Sequence, residues 1–229
     1  MEKELAEAPE SVKIIFSRHG NTFSPGEKVV WIGGQIDPPL VREGRRQARH
    51  LGRALQAARR IPLATFCSPL QRTRSYAEIA LAIVRERRPP ISDWRLDEID
   101  YGRWNGLSND EVIQRFGLHE FNDWYHKSTW PKSKNWKTDP LSYREAIGSF
   151  LEELECCYGS AETILVVTAH GPLKCIGRSL AAQLADLPAA QLARVDPGNI
   201  CELEVRRGLL RPILWNEPPG ALFQSMSRN

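Results

Sequence analysis

Hydrophobic positions along the chain form short continuous runs separated by helical faces. Residues 12–16 are one apolar run, and residues 63–68 and 163–168 are two more, the last rich in β-branched side chains. Runs of this kind are typical of strands that are covered on both faces of a sheet. Between the first two runs, residues 43–59 place apolar side chains at the spacing of one helical face. The chain therefore begins with a predicted strand, helix and strand.

Cap and breaker residues mark further helices. A second helix is predicted from about residue 70 to 87, where two prolines follow. Ser108 and Glu111 have the spacing of a capping box at the start of a short helix. Ser142 and Glu145 repeat that spacing before a longer helix. Both capping boxes are predictions from spacing alone.

The C-terminal part continues the alternation. A helix is predicted to start near Pro172, and residues 201–205 alternate like a strand with one covered face. Pro212 places the last strand, near residues 210–214, at the edge of the sheet, because proline cannot donate to a central ladder. Strands that alternate with helices predict an α/β layered fold around a largely parallel sheet.

One stretch breaks this rhythm. Residues 118–140 are rich in Trp and Lys and weak in periodicity, which indicates an inserted lid or cap rather than a second domain. We predict a single domain over residues 11–229, with a small cap insert at about 100–140. Residues 1–10 are predicted to be a disordered or loosely attached segment.

Composition and charge narrow the class of protein. The chain has 229 residues, of which 41% are hydrophobic, so it is long enough for one sizeable core. Its net charge of +3 does not call for a nucleic-acid partner, and no apolar run is long enough to span a membrane. The polar N-terminus lacks a secretory signal, and five cysteines without CxxC spacing indicate reduced thiols. We expect a cytoplasmic protein.

Basic side chains follow three of the predicted strands. Arg18 and His19 come after the first, Arg72 lies one turn into the helix after the second, and His170 and Gly171 come after the third. In open α/β sheets, sites form outside the carboxyl ends of strands. Four converging basic groups would repel one another unless a dianion lies between them, and arginine donors match phosphoryl oxygens. Neutral histidine can attack phosphorus, so no metal or other cofactor is predicted.

Phosphoryl transfer also needs an acid for the departing oxygen. The turn-rich segment 94–106 contains Asp97, Glu98 and Asp100. Each of them is also readily explained as a surface charge, and residue type and spacing alone leave the choice among the three open.

Five segments, in this order, resemble the histidine phosphatase superfamily, in its phosphoglycerate-mutase-like branch with the Arg-His-Gly motif. They are RHGNT (18–22), GQIDPPLVREGRRQA (34–48), SPLQRTRSYA (68–77), LDEIDYGRWNG (96–106) and AHG (169–171). The resemblance implies a three-layer α/β/α sandwich with a mostly parallel central sheet. It also implies a metal-independent mechanism through a phosphohistidine.

The resemblance assigns roles to matching positions. It implies that His19 is the nucleophile and that Arg18 and Arg72 bind the phosphoryl group. It selects Glu98 as the acid and base, and it makes His170 the second histidine, which binds the phosphoryl group and stabilises its developing charge.

Three further residues are implied to contact the substrate, namely Asn21, Thr22 and Gly171. The chain departs from the family in places: the usual Trp-Glu-Gly is replaced by Trp104-Asn105-Gly106, and Pro172 follows the second His-Gly. These departures affect the identity of the substrate more than the chemistry, because the catalytic positions are all present.

Three functions remain open at this stage. The leading one is a phosphoric monoester hydrolase that acts on a small phosphorylated metabolite. A homodimer is compatible with this function. The second is a phosphoglycerate-mutase-type isomerase, whose extra basic residues would have to come from the insert, at Lys127, Lys132, Lys134 and Lys137. The third is a non-catalytic binding module on the same fold.

The aromatic residues of the insert also allow two interpretations. They pack the insert onto the body, or they form an aromatic wall for the leaving group of the substrate. The residues concerned are Trp124, Tyr125, Trp130 and Trp136.

Overall fold

A computed structural model describes residues 11–132, 135–159, 162–184 and 189–225. The predicted N-terminal segment, residues 1–10, and Lys134 of the insert lie outside the described residues. The strands are β1 (Val12–Arg18), β2 (Ala64–Cys67), β3 (Ile91–Ser92), β4 (Thr163–Thr168), β5 (Ile200–Arg206) and β6 (Leu209–Glu217).

Helices follow most of these strands. They are α1 (Arg42–Ala57), α2 (Gln71–Val84), α3 (Asn109–Phe116), α4 (Leu118–Lys127), α5 (Pro140–Cys157), α6 (His170–Gln183), α7 (Ala189–Leu192) and α8 (Leu222–Ser225). Short 3₁₀ turns lie at Trp94–Leu96, Gly102–Trp104 and Pro219–Ala221. Among the described residues, no helix has the length and apolar character to cross a membrane.

The six strands form one sheet in the order β3-β2-β4-β1-β5-β6. The strands β3, β2, β4 and β1 are parallel to one another, whereas β5 is antiparallel to β1 and β6 is antiparallel to β5. The predicted mostly parallel sheet is confirmed, and β6, which contains Pro212, lies at its edge as predicted. Because β1, β2 and β4 are parallel neighbours, the residues that follow them emerge at one edge of the sheet.

Both faces of the sheet are covered, which gives three layers. On β1, Ile14 and Phe16 belong to one core cluster, which includes Phe150 of α5. Ile15 belongs to a second cluster on the opposite face, with Leu51 of α1. Successive side chains of a strand point to opposite faces, so a run that is apolar throughout is buried on both. The predicted α/β/α sandwich is therefore confirmed.

One of the two predicted capping boxes is present. The Ser108 hydroxyl accepts from the Glu111 backbone N–H, and the Glu111 carboxylate accepts from the Ser108 backbone N–H, at the start of α3. The predicted box at Ser142 and Glu145 is wrong. There the Asp139 carboxylate caps α5 by accepting from Ser142 N at 2.8 Å.

The prediction that β5 has only one covered face is also wrong. Glu202 on this strand is only 1% exposed, although the alternating pattern suggested that it faces solvent. Arg60, which follows α1, forms an ion pair with it at 2.9 Å. A buried carboxylate needs such a partner, and the sequence pattern does not reveal one that is so distant in the chain.

Residues 118–140 contain a helix, α4, and contribute three tryptophans to an aromatic cluster. We define the aromatic cluster by its members Trp31, Tyr101, Trp104, Trp124, Trp130 and Trp136. Neighbouring rings meet edge to face, with centroids 4.8 Å apart for Tyr101 and Trp136 and also for Trp124 and Trp136. This is a favourable arrangement for aromatic rings. The cluster is a third core, separate from those on the two faces of the sheet.

Candidate active site

The carboxyl ends of the strands bring four predicted site residues together. Arg18 ends β1 and His19 follows it, with its backbone N–H donating to Thr168 O of β4 at 3.0 Å. Arg18 is the register partner of Thr168 on β4, and His170 begins α6 two residues after Thr168. Arg72, near the start of α2, contacts His19 directly. We call Arg18, His19, Arg72 and His170 the basic cluster.

The environment of His19 fixes its tautomer. The ring is buried, and its Nδ1 lies 2.8 Å from Gly20 O. A carbonyl oxygen can only accept, so Nδ1 carries the hydrogen and the lone pair is on Nε2. That nitrogen accepts from Arg72 Nε at 3.3 Å. Burial, together with the charges of Arg72 and Arg18, holds the pKa of His19 well below its usual value, so the ring is neutral at neutral pH.

Close backbone packing holds the segment after His19. A Cβ on Gly20 would lie 2.6 Å from Gly44 Cα, so the start of α1 packs directly on this turn. The Asn21 backbone N–H donates to Gln47 Oε1 at 2.9 Å, and its side-chain oxygen accepts from Gln47 Nε2 at 3.4 Å. Asn21 is thus tied to α1, and Thr22 beside it is half-buried. Their roles as substrate contacts stay predictions.

Arg72 is completely buried, and the chain before α1 holds its guanidinium group. Nη1 donates to Ile36 O at 2.8 Å and pairs with Asp37 Oδ1 at 3.0 Å, while Nη2 donates to Gly33 O at 3.4 Å. Sequence reasoning missed Asp37, although it lies within one of the matched segments. A carboxylate that close to Arg72 orients the guanidinium group toward His19.

Arg18 and His170 each have a nitrogen that lacks a partner. Arg18 Nη1 donates to Val195 O at 2.7 Å, and burial lowers the pKa of Arg18. Burial and the charges of Arg18 and Lys174 hold the pKa of His170 well below its usual value. Within the described part of the chain, Arg18 Nε and His170 Nε2 are buried without hydrogen-bond partners. An oxyanion in the basic cluster would supply the acceptor that Arg18 Nε lacks, and it would accept from His170 Nε2 once that nitrogen carries a proton.

Glu98 lies buried against the first turn of α6. Its Oε1 accepts from Ile99 N at 2.9 Å, Tyr101 Oη at 3.1 Å and Gly171 N at 2.9 Å. Its Oε2 accepts only from His170 N, at 3.1 Å, among the hydrogen bonds of the described residues. The helix N-terminus supplies N–H groups that have no partner within the helix. Oε1 is therefore saturated with donors, whereas Oε2 has a lone pair to spare.

The position of Gly171 depends on Glu98. A Cβ on Gly171 would lie 2.2 Å from Glu98 Oε1, so only glycine allows its N–H to approach the carboxylate. The Gly171 N–H is used to hold Glu98; a role in binding the substrate stays a prediction. α6 begins at His170, two residues before the predicted start at Pro172. Pro172 is compatible with the first turn of the helix, because an N–H there would have no partner within the helix and proline lacks one.

The other two acids of the turn-rich segment have different surroundings. Burial raises the pKa of Asp97 to about 6, although the Arg72 charge opposes that shift. Asp100 Oδ1 accepts from Gly102 N and from Asn105 Nδ2, both at 2.9 Å, which stabilises the turn. Of the three acids, Glu98 is the one that contacts the N-terminus of α6.

The aromatic residues of the insert divide between the two interpretations. Trp124, Trp130 and Trp136 pack in the aromatic cluster. Tyr125 is 43% exposed, and its ring stacks on Phe121 of the same helix, with centroids 5.0 Å apart. Packing therefore describes the three tryptophans, whereas an aromatic wall for the leaving group stays a prediction for the exposed Tyr125.

The described lysines of the insert do not join the basic cluster. Lys127 pairs with Asp123 on its own helix at 3.0 Å, and Lys132 and Lys137 are exposed. Among the described residues, no three His, Cys, Asp or Glu side chains are grouped to hold a metal ion.

Comparison with known proteins places the chain among relatives of similar length. A 2,3-bisphosphoglycerate-dependent phosphoglycerate mutase of Tropheryma whipplei (strain Twist) is 27% identical over 221 residues, which cover 90% of this chain and 93% of the mutase. Among solved structures, Bacillus stearothermophilus YhfR is 25% identical with a TM-score of 0.70, and the match covers 90% of this chain and 97% of that chain.

A mycobacterial glucosyl-3-phosphoglycerate phosphatase shares the fold. Its TM-score is 0.71 at 21% identity, with 90% of this chain and 99% of that chain covered. The family model of the histidine phosphatase superfamily (branch 1) matches residues 14–218, which include every member of the basic cluster and Glu98. The chain belongs to branch 1 of the histidine phosphatase superfamily.

Proposed function

We propose that the protein is a phosphomonoesterase that hydrolyses a small phosphorylated metabolite through a phosphohistidine at His19, without a metal ion. The observation that carries this proposal is the state of His19: its ring is neutral, its Nδ1–H is fixed by Gly20, and its Nε2 lone pair lies among the cations of the basic cluster. A neutral imidazole with a directed lone pair is a nucleophile, and the neighbouring guanidinium groups stabilise a phosphoryl group.

In the first step, His19 Nε2 attacks phosphorus in line with the ester oxygen. An N–P bond forms and the P–O bond to the leaving group breaks. Glu98, protonated at Oε2, gives its proton to the departing oxygen, so the product is a neutral alcohol. The spare lone pair of Oε2 supports its choice as the oxygen that carries the proton.

In the second step, a water molecule attacks the phosphohistidine. Glu98, now a carboxylate, takes a proton from this water, the N–P bond breaks, and inorganic phosphate leaves. Arg18, Arg72 and His170 hold the equatorial oxygens in both steps, which is where charge accumulates in a loose transition state.

A mutase is the second candidate, because the Tropheryma whipplei relative that bears this name aligns over most of both chains. A mutase must hold a second acidic group of its substrate while the phosphoryl group moves. The lysines of the insert were the candidates for that purpose. The exposed positions of Lys132 and Lys137 and the pairing of Lys127 with Asp123 support hydrolysis instead.

Turnover of a panel of phosphomonoesters, assayed with a chelator present, tests the proposal. We expect release of inorganic phosphate that is insensitive to the chelator and absent in His19→Ala. Loss of activity with the chelator would contradict the metal-independent mechanism. Conversion of 3-phosphoglycerate to 2-phosphoglycerate without phosphate release would identify a mutase.

A further inference from the structure

A glutamine of α1 contacts the turn that follows His19. Gln47 is half-buried, and its Oε1 accepts from the Asn21 backbone N–H at 2.9 Å. Its Nε2 donates to Pro197 O at 3.1 Å and to Asn21 Oδ1 at 3.4 Å. A carbonyl oxygen can only accept, so the bond to Pro197 O identifies the nitrogen of the amide. The Gln47 amide group is thus fixed in one orientation, with its oxygen toward the Asn21 N–H.

One peptide group joins Gln47 to the imidazole ring of His19. The carbonyl group of Gly20 and the N–H of Asn21 belong to the same peptide unit, which is planar and rigid. Its oxygen accepts from His19 Nδ1 at 2.8 Å, and its N–H donates to Gln47 Oε1 at 2.9 Å. The direction of Gly20 O, and with it the direction of the ring, therefore depends on where Gln47 holds the N–H.

This chain of two hydrogen bonds also strengthens the bond to the ring. Hydrogen bonds in a chain polarise one another, so a peptide group whose N–H is bonded offers a stronger carbonyl acceptor. The hydrogen bond at one ring nitrogen decides which nitrogen keeps the lone pair. In His19, the bond from Nδ1 to Gly20 O leaves that lone pair on Nε2. Gln47 thus supports both the direction of the ring and its reactive nitrogen.

Two glycines make room for Gln47. A Cβ on Gly20 would lie 2.7 Å from Gln47 Oε1, and a Cβ on Gly198 would lie 3.0 Å from Gln47 Cβ. The Gly198 N–H donates to Arg18 O at 3.1 Å and to His19 O at 3.3 Å. Gln47 therefore packs against both of the backbone segments that bond to His19.

We propose that Gln47 is a positioning residue for the nucleophile: by accepting from the Asn21 N–H, it fixes the peptide group whose oxygen holds the His19 ring, and so aims Nε2 at phosphorus. This inference rests on the proposed function, because it concerns the same nucleophile. Among the hydrogen bonds of the described residues, the Gln47 side chain has partners only at Asn21 and Pro197, so it acts through the backbone. Substitution of Gln47 should therefore slow phosphoryl transfer and leave phosphate binding intact.

The first test compares Gln47→Met with Gln56→Met. Methionine keeps the length of the side chain and removes its amide group, and Gln56 is an exposed residue of the same helix. With p-nitrophenyl phosphate as substrate, kcat/KM covers every step up to transfer of the phosphoryl group to His19. We expect kcat/KM to fall about tenfold in Gln47→Met, because a small misplacement of a reacting group is costly, and to stay unchanged in Gln56→Met.

The inhibition constant of inorganic phosphate separates positioning from binding. It should change by less than about twofold in both variants, because the arginines that bind the phosphoryl group are not altered. An unchanged kcat/KM in Gln47→Met would overturn the proposal. A rise of the inhibition constant as large as the fall of kcat/KM would also overturn it.

A second variant tests the route through the peptide group. Gln47→Glu keeps an acceptor for the Asn21 N–H and loses the amide donor to Pro197 O. Its kcat/KM should therefore lie above that of Gln47→Met. If Gln47→Glu loses as much as Gln47→Met, the bond to Pro197 O carries the effect, and the route through the Asn21 N–H is refuted.

A third measurement does not depend on turnover. Proton NMR of the free enzyme follows the ring Nδ1–H of His19 and the exchange rate of the Asn21 amide proton. In Gln47→Met, the ring signal should move to higher field, as the bond to Gly20 O weakens, and exchange at Asn21 should accelerate. Both should stay as in the wild type in Gln56→Met. An unchanged ring signal in Gln47→Met would contradict the proposal.

The same measurement keeps the two proposals distinguishable. If Gln47→Met does not fold, Gln47→Leu replaces it with the same expectations. If no phosphomonoester is turned over, the proposed function fails, and the ring signal still decides whether Gln47 positions His19.

Discussion

The basic cluster and the aromatic cluster are held by different interactions. In the basic cluster, individual polar atoms are fixed by hydrogen bonds to backbone groups and to Asp37. In the aromatic cluster, rings meet edge to face in a mainly apolar environment. The first arrangement sets the direction of lone pairs and donors, whereas the second sets how firmly the insert is packed. The predicted site and the packing of the insert are thus held in different regions by different interactions.

Tyr101 joins the two regions. Its hydroxyl donates to Glu98 Oε1 at 3.1 Å, while its ring packs against Trp136. Burial, reinforced by the Glu98 charge, raises the pKa of Tyr101 well above its usual value, so the hydroxyl remains a donor at all ordinary pH values. Substitutions on the Glu98 side of Tyr101 should therefore change the rate, and substitutions in the aromatic cluster should change the stability.

The largest effect is expected from His19→Ala. Removal of the nucleophile should lower kcat for phosphomonoesters by about 10⁴-fold or more. Steady-state assays of phosphate release measure this loss, and His50→Ala, at an exposed histidine of α1, is the matched control. Retention of more than a tenth of the wild-type kcat in His19→Ala would contradict the assignment.

A smaller loss of rate is expected from Glu98→Gln. General acid catalysis contributes about 10²- to 10⁴-fold, and the loss should be greatest for esters whose leaving oxygen most needs a proton. The kcat of glycerol phosphate should fall further than that of p-nitrophenyl phosphate. Asp110→Asn, at an exposed acid of α3, serves as control. Equal losses for the two esters would rule out proton donation by Glu98.

The aromatic cluster should respond in stability rather than in rate. Trp136→Ala removes ring contacts with Tyr101, Trp104 and Trp124 and should lower the free energy of unfolding by about 2–3 kcal/mol. Denaturant titration measures the loss, and Trp94→Ala, at a residue that is 69% exposed, should be near neutral. A loss of kcat as large as that of Glu98→Gln would break the contrast between the two regions.

The smallest effect is expected at Asp97. Because its folded pKa of about 6 exceeds the ordinary aspartate pKa of 3.8, the folded chain binds more protons than the unfolded chain between these pH values. Its contribution to stability is therefore present at low pH and is lost as the pH rises through about 6. Asp97→Asn should raise the free energy of unfolding by about 1 kcal/mol above that range, after allowance for solvent screening. An equal gain below about pH 3, where both states are largely protonated, would contradict this account.

The strands and the convergence of the basic cluster were predictable because they follow from local patterns. The apolar runs that became β1 and β4 specify strands buried on both faces, and parallel strands deliver His19 and His170 to one edge. The roles of these residues stay predictions, although the structure places the ends of β1 and β4 that carry them side by side.

Other features depend on contacts between distant residues. The sequence did not show that Arg60 pairs with Glu202, that Asp37 orients Arg72, or that Lys174 holds α4. Glu202, Arg72 and Lys174 are buried, and each has a polar partner from another element. The periodicity of the sequence carries no information about such partners. The predicted cap of α5 is wrong for a local reason. Asp139 takes the N-cap position that was predicted for Ser142, and it lies one residue before a proline.

The most direct test of the central claim is the chemical state of His19 during turnover. Enzyme quenched in alkali while it hydrolyses a phosphomonoester should yield, by mass spectrometry, a phosphorylated peptide that contains His19. The modification should disappear after brief exposure to acid and should be absent from His19→Ala. A phosphoryl group on any other side chain, or hydrolysis with no covalent intermediate at His19 in rapid-quench experiments, would contradict the account.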